Sequence, residues 1–155
     1  MKNTALCVLL CLAMVLLTAC SASTADSQSA AGAKQPLAVD LDLSALSGTV
    51  VYSQVNHMMT DPSSWLGKII KMAGYYSAYE DTARGVVYHA CVIPDATACC
   101  AQGIEFVCAG ERAWPDEYPA EGTDITVTGR LASYEEDGLV YLQLVDAELI
   151  WKKEP

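Results

Sequence analysis

Basic residues are scarce in this chain. Its 155 residues carry 9 Lys and Arg against 19 Asp and Glu, a formal net charge of −10. Neutralising phosphates takes a Lys/Arg footprint that is missing here, so no nucleic-acid partner is expected. Histidine is nearly absent too, with 2 residues, His57 and His89. Gly-x-Ser-x-Gly, His-Glu-x-x-His, phosphate-loop and dinucleotide-binding signatures are all missing, and each of those chemistries needs its residues at fixed spacing. The chain is therefore expected not to be an enzyme. A length of 155 residues allows one domain, since domains run to ~100–200 residues. The apolar run Ala5–Leu17 has 13 residues, short of the ~20 that a spanning helix needs.

That run nevertheless holds much of the chain's hydrophobicity. Lys2 precedes it and is the one charged side chain among the first 20 residues. A positive residue before an apolar run of this length is the pattern of a secretory signal. The run ends in Leu17-Thr18-Ala19-Cys20. These four residues resemble the bacterial lipobox, in which the Cys thiol takes a diacylglyceryl group and becomes the mature N-terminus. Cys20 is thus expected to be lipidated, and acyl chains would anchor the protein to the bacterial cell membrane, or to an outer membrane where one exists. A plain signal cleaved nearby is the alternative. Both readings place the domain outside the cytoplasm. Ser21–Gly32 is rich in Ser and Ala, a composition that cannot bury a core. The resulting division is a lipoprotein signal peptide at 1–20, a flexible tether at 21–36 and a folded domain at 37–155.

Within the domain, Val50-Val51, Gln54-Val55 and Met58-Met59 recur at three- and four-residue steps. That period predicts an amphipathic helix of about three turns, ended by Asp61-Pro62. The remainder reads as β. Gly67–Gly74 and Gly122–Gly129 share a Gly-x6-Gly frame. Each is followed by a Tyr-Glu pair (Tyr79-Glu80, Tyr134-Glu135) and then by Gly-apolar-Val-Tyr (Gly85–Tyr88, Gly138–Tyr141). Two long hairpins on one pattern are expected, through shared turn chemistry more simply than through duplication. Five strands are predicted, at about 68–79, 86–93, 103–108, 123–135 and 139–150. Five strands and one N-terminal helix in this length predict a mainly β fold. The architecture expected is a small five-stranded Greek-key barrel of the oligonucleotide/oligosaccharide-binding (OB) type, with a β-sandwich as the alternative.

Cys7, Cys11 and Cys20 belong to the leader, which leaves Cys91, Cys99, Cys100 and Cys108 in the domain. Their spacing is symmetric, so a hairpin centred between them would set Cys91 opposite Cys108 and put the vicinal pair at its tip. His89 lies two residues from Cys91 and so on the same strand face. Outside the cytoplasm an even number of Cys favours disulfides, and Cys91–Cys108 is one possible bridge. Thiolates also suit Zn²⁺ or another soft metal, with four ligands at ~2.3 Å. Cys99, Cys100, Cys91 and His89 could supply that set. Free or redox-active thiols are the third alternative.

Pro94-Asp-Ala-Thr-Ala-Cys-Cys-Ala-Gln-Gly-Ile-Glu-Phe106, with Pro62-x3-Leu66-Gly67-Lys-x-Ile-x-Met-x-Gly74 upstream, resembles an uncharacterised family of small extracytoplasmic proteins of anaerobic Gram-positive bacteria. It is also distantly similar to the OB-like soluble C-terminal domain of a two-component permease. The resemblance spans roughly residues 46–150, and its specific part is Ala-Cys-Cys-Ala, carried by Cys99 and Cys100. It implies a role near metal handling, zinc among the candidates. The permease motif has an Asp two residues after the second Cys, where this chain has Gln102. A transport role would need a membrane partner.

The 8 tyrosines offer another possibility. Tyr75, Tyr76, Tyr79, Tyr88 and Tyr141 fall on the paired hairpins, and stacking on such rings could hold a sugar or peptide on an OB face. Packing against the barrel is the simpler role for them. Likewise His57, Met58 and Met59 could hold Cu⁺, but core methionines beside a surface histidine are the simpler reading. Asp116-Glu117 and Glu135-Glu136-Asp137 are expected in solvated turns, with weak collection of divalent cations as the alternative. The function expected first is a membrane-anchored module that binds zinc through the Cys/His cluster, accessory to envelope metal homeostasis. The alternative is a structural or ligand-binding lipoprotein with disulfide-stapled loops.

Overall fold

The computed structural model describes residues 38–94 and 100–153. The expected signal peptide, the tether and lipidation site Cys20, and Cys99, lie outside the described residues. The elements run β1 (Leu41–Asp42), α1 (Gly48–Thr60), a 3₁₀ turn (Pro62–Ser64), β2 (Ile69–Asp81), β3 (Val86–Pro94), β4 (Ala101–Cys108), β5 (Asp124–Glu136) and β6 (Leu139–Trp151). The five long strands match the expected positions closely. The two-residue β1, paired parallel to β2, carries no periodicity and was not foreseen.

β2, β3, β4, β6 and β5 are hydrogen-bonded in that order, and a β2–β5 ladder closes the sheet into a barrel. The β4–β6 pairing is parallel and the other four are antiparallel. This is a closed five-stranded Greek-key barrel with one helix, OB-like as expected. Side chains alternate along each strand, so every second residue points inward. Ile70, Met72 and Tyr76 of β2, Cys91 and Ile93 of β3, Ile104 and Phe106 of β4, Val127 and Leu131 of β5, and Leu144 and Leu149 of β6 fill the interior. Helix α1 adds Val51, Val55 and Met58 from one face, at four- and three-residue spacing, and packs on β3 and β4. Met59 on the other face is 50% exposed. His57 is exposed, and its Nδ1 accepts a hydrogen bond from Trp65 Nε1 at 3.3 Å.

Closure of so small a barrel needs sharp coiling, and Gly74 supplies it. β2 pairs with β5 over Ile69–Tyr75 and with β3 over Tyr75–Asp81. A Cβ on Gly74 would overlap the Val92 carbonyl oxygen and touch Cys91 Sγ at 3.0 Å. Only a residue without a side chain lets β3 approach there. Gly129, the corresponding residue of the second frame, sits at the β5–β6 register shift. A Cβ there would meet Leu144 Cβ and the Val145 carbonyl oxygen at 3.0 Å.

The echo between the two hairpins extends to the ladder that joins them. Ile69 faces Arg130, Met72 faces Val127 and Tyr75 faces Asp124. Advancing Ile69 and Tyr75 by 55 residues gives Asp124 and Arg130, so the shift maps this register onto itself. The two hairpins are therefore related by an approximate two-fold axis at the Met72–Val127 pair.

Candidate functional site

The two hairpin tips meet on one side of the barrel. In each, a tyrosine pair stands directly across the strands: Tyr79 opposite Tyr88, and Tyr134 opposite Tyr141. Both pairs stack, with ring centroids 6.3 Å apart at 25° and 5.4 Å apart at 22°. Direct cross-strand aromatic pairs of this kind stabilise a hairpin and lay flat apolar faces side by side. Glu105 of β4 lies between Ile104 and Phe106, which point into the core, so it points the other way, toward the tyrosines. Together these groups line a cleft of about 300 Å³.

Arg84, in the β2–β3 turn, ties the two tips together. Its Nη1 donates to Asp81 Oδ2 at 2.8 Å and its Nη2 to Asp137 Oδ2 at 2.5 Å. These two carboxylates, Asp137 first, hold the guanidinium in its charged form. Asp81 also accepts from the backbone N–H groups of Ala83 and Arg84, which folds the turn. The β5–β6 turn is the two residues Asp137 and Gly138, at φ 52° and 78°. That is the left-handed geometry of a tight hairpin turn, and Asp-Gly suits it.

Two phenols hold two further carboxylates in place. Tyr88 Oη donates to Glu136 Oε1 at 2.7 Å, and Tyr134 Oη to Glu105 Oε2 at 2.6 Å. The bond to Glu136 is the main reason that the Tyr88 phenol is pushed up to about 12. Burial first, then the bond to Glu105, pushes Tyr134 up as well. The Glu105 carboxyl is raised by burial and by the charge of Glu136, although Tyr134 lowers it. The cleft is thus a rigid set of rings and acceptors with one guanidinium at its rim.

Of the tyrosines expected to form a ligand face, Tyr79, Tyr88 and Tyr141 line this cleft, while Tyr75 lies outside its lining. Tyr76 points into the barrel and is 2% exposed. Sequence reasoning missed Tyr134, Glu105, Asp81, Arg84 and the roles of Glu136 and Asp137. The hairpin echo pairs Tyr134 with Tyr79, and that signal could have found it. Glu136 and Asp137 were expected in a solvated turn, and Asp137 is exposed there, but both also line the cleft.

The cysteine cluster is placed differently from expectation. The β3–β4 register sets Cys91 opposite Ile104, not Cys108. Cys108 instead pairs with Ala147 of β6, because β4 leaves β3 after Glu105 and continues beside β6. Cys91 is a free thiol in the core, 0% exposed, and burial pushes it up to about 12. A thiol so hard to ionise is a poor nucleophile.

His89 is half-buried and held by two tyrosines. Its Nδ1 is 2.7 Å from Tyr76 Oη, and its ring stacks on Tyr118 with centroids 3.9 Å apart. Burial lowers its pKa. His89 is five residues before Pro94, which faces Ala101, the neighbour of Cys100. At ~3.3 Å per residue, His89 and Cys100 stand on the order of 16 Å apart, too far to share one metal. Among the described residues, no three His, Cys, Asp or Glu side chains are grouped to hold a metal ion.

No family model, curated protein or solved structure matches the chain. Among the described residues, no helix is long and apolar enough to cross a membrane.

Proposed function

We propose that the protein is a binding module that captures a small molecule, or one group of a larger one, in the tyrosine cleft. The observation that carries this reading is the convergence of two stacked tyrosine pairs, from separate hairpins, on one cleft bracketed by two turns. Those turns are the connections between the first and second and between the fourth and fifth barrel strands, where OB folds hold their ligands. Rings fixed by phenol–carboxylate hydrogen bonds offer a preorganised surface, which lowers the entropic cost of binding. Lipidation at Cys20 and the tether at 21–36 would present the cleft at the outer side of the cell membrane. A transport component in that membrane is a partner of fitting kind.

The test is calorimetric titration of the purified full chain with saccharides, short peptides and amines. Tyr79→Ala and Tyr141→Ala should each weaken a saturable ligand at least tenfold while leaving the thermal midpoint within a few degrees. Saturable binding that ignores both substitutions overturns the reading. Zinc enters this proposal only through Cys99 and Cys100, since Cys91 is buried in the barrel and His89 stands far along β3 from Cys100. Elemental analysis of anaerobically purified wild type beside the double Ser variant of Cys99 and Cys100 decides it. One zinc per chain, lost in the variant, would restore the metal-binding function.

A further inference from the structure

We infer that the ligand of this cleft is an organic cation, an alkylammonium or quaternary ammonium group seated against Glu105 and Glu136 among the tyrosine rings. The inference rests on the binding-module reading and names the chemistry of its ligand. The charges of the cleft do not balance. Asp81, Glu105, Glu136 and Asp137 face a single cation, Arg84. The guanidinium is engaged by Asp81 and Asp137. Glu105 and Glu136 make no ion pair within 4.0 Å among the described residues, although the charge of Glu136 acts on Arg84. Each receives one phenolic hydrogen bond, and neither is fully exposed. Removing a carboxylate from water without an opposite charge is costly. Burial first, and then the charge of Glu136, raises the Glu105 carboxyl.

A cation in the cleft relieves both costs. The tyrosines then act as more than apolar walls, because the face of an aromatic ring attracts a cation and such rings recognise quaternary ammonium groups. A metal ion is a poorer occupant, because no three ligating side chains are grouped there among the described residues. A diffuse organic cation needs no such shell. A neutral sugar could donate hydroxyl hydrogen bonds to the two carboxylates but would bring no charge to offset theirs. The net charge of −10 adds a long-range field that draws cations toward the molecule.

The experiment titrates the purified full chain with choline and with 1,5-diaminopentane at low ionic strength. The same titration is run with 3,3-dimethylbutan-1-ol, the uncharged analogue of choline. At least one cation should bind saturably, and choline should bind at least tenfold more tightly than its neutral analogue. Glu105→Gln and Glu136→Gln keep an acceptor for the phenols, and each should weaken the cation at least fivefold. Circular dichroism melts of both variants verify folding. Absence of saturable binding by either cation, equal binding of the neutral analogue, or indifference to both Gln variants overturns the inference. If a neutral oligosaccharide such as maltotriose then binds and Tyr79→Ala abolishes it, the binding-module reading stands while the cation assignment fails.

Discussion

Hairpin β2–β3 and hairpin β5–β6 carry the same surface and different interiors. On the surface, Tyr79 and Tyr88 in one correspond to Tyr134 and Tyr141 in the other, and Asp81 corresponds to Glu136. Inside, the first hairpin has His89 and Cys91 where the second, 53 residues on, has Leu142 and Leu144. Cys91 and Leu144 are both fully buried. The comparison shows what His89 and Cys91 do. They stand at leucine positions of the barrel wall, and their chemistry is constrained by that place. The turns differ as well. The longer β2–β3 connection brings in Arg84, which reaches across to Asp137 in the tight turn of its counterpart.

The largest effect should come from the interior. Leu144→Ala is expected to cost about 3 kcal/mol, as buried Leu truncations do. Cys91→Ala at the matching position should cost about 1 kcal/mol, in the range of modest core changes. Urea denaturation measures both, and equal losses would break the correspondence. Next come the glycines. Gly74→Ala should cost about 2–3 kcal/mol, because the obstructing group is a backbone carbonyl that cannot move aside. Gly129→Ala should cost about 1–2 kcal/mol, because its contacts begin at 3.0 Å. A reversed order would place the tight crossing in the wrong hairpin.

A pH experiment separates the interiors further. Burial lowers the pKa of His89 in the folded state. The unfolded chain therefore binds more protons as pH falls below the ordinary histidine range, and stability drops across that window. His89→Leu copies the second hairpin and should flatten this slope, read from urea midpoints at pH 7 and pH 5. Equal slopes would mean that the site is open to solvent. The smallest effect should be that of Arg84→Ala, a slight drop in thermal midpoint that shrinks in high salt, since the guanidinium and its Asp137 partner are exposed.

The barrel was legible because alternation and the Gly-x6-Gly frames are local signals. The helix was legible for the same reason, through Val51, Val55 and Met58. Half of the cleft was also readable, because Tyr79, Tyr88 and Tyr141 sit at fixed places in the hairpin pattern. Glu105, Arg84 and Asp137 were not, because they meet only when separate elements close on each other. The cysteine geometry failed for a specific reason. Equal spacing about the loop suggested a symmetric hairpin, but the register centres elsewhere and β4 changes neighbours after Glu105. Spacing alone cannot show that a strand leaves its partner.

The self-matching ladder between β2 and β5 also orders the folding reaction. Tyr134 and Tyr141 are seven residues apart and Tyr79 and Tyr88 nine, whereas Met72 must find Val127 across 55. Short hairpins form in about 1–10 μs, while pairings distant in sequence pay a larger loop-closure entropy first. Each hairpin can thus zip on its own, and the non-local ladders, β2–β5 and β4–β6, are expected to form later. The cleft waits on long-range pairing too, because Glu105 of β4 must find β3 on one side and β6 on the other before the two tyrosine pairs share one wall.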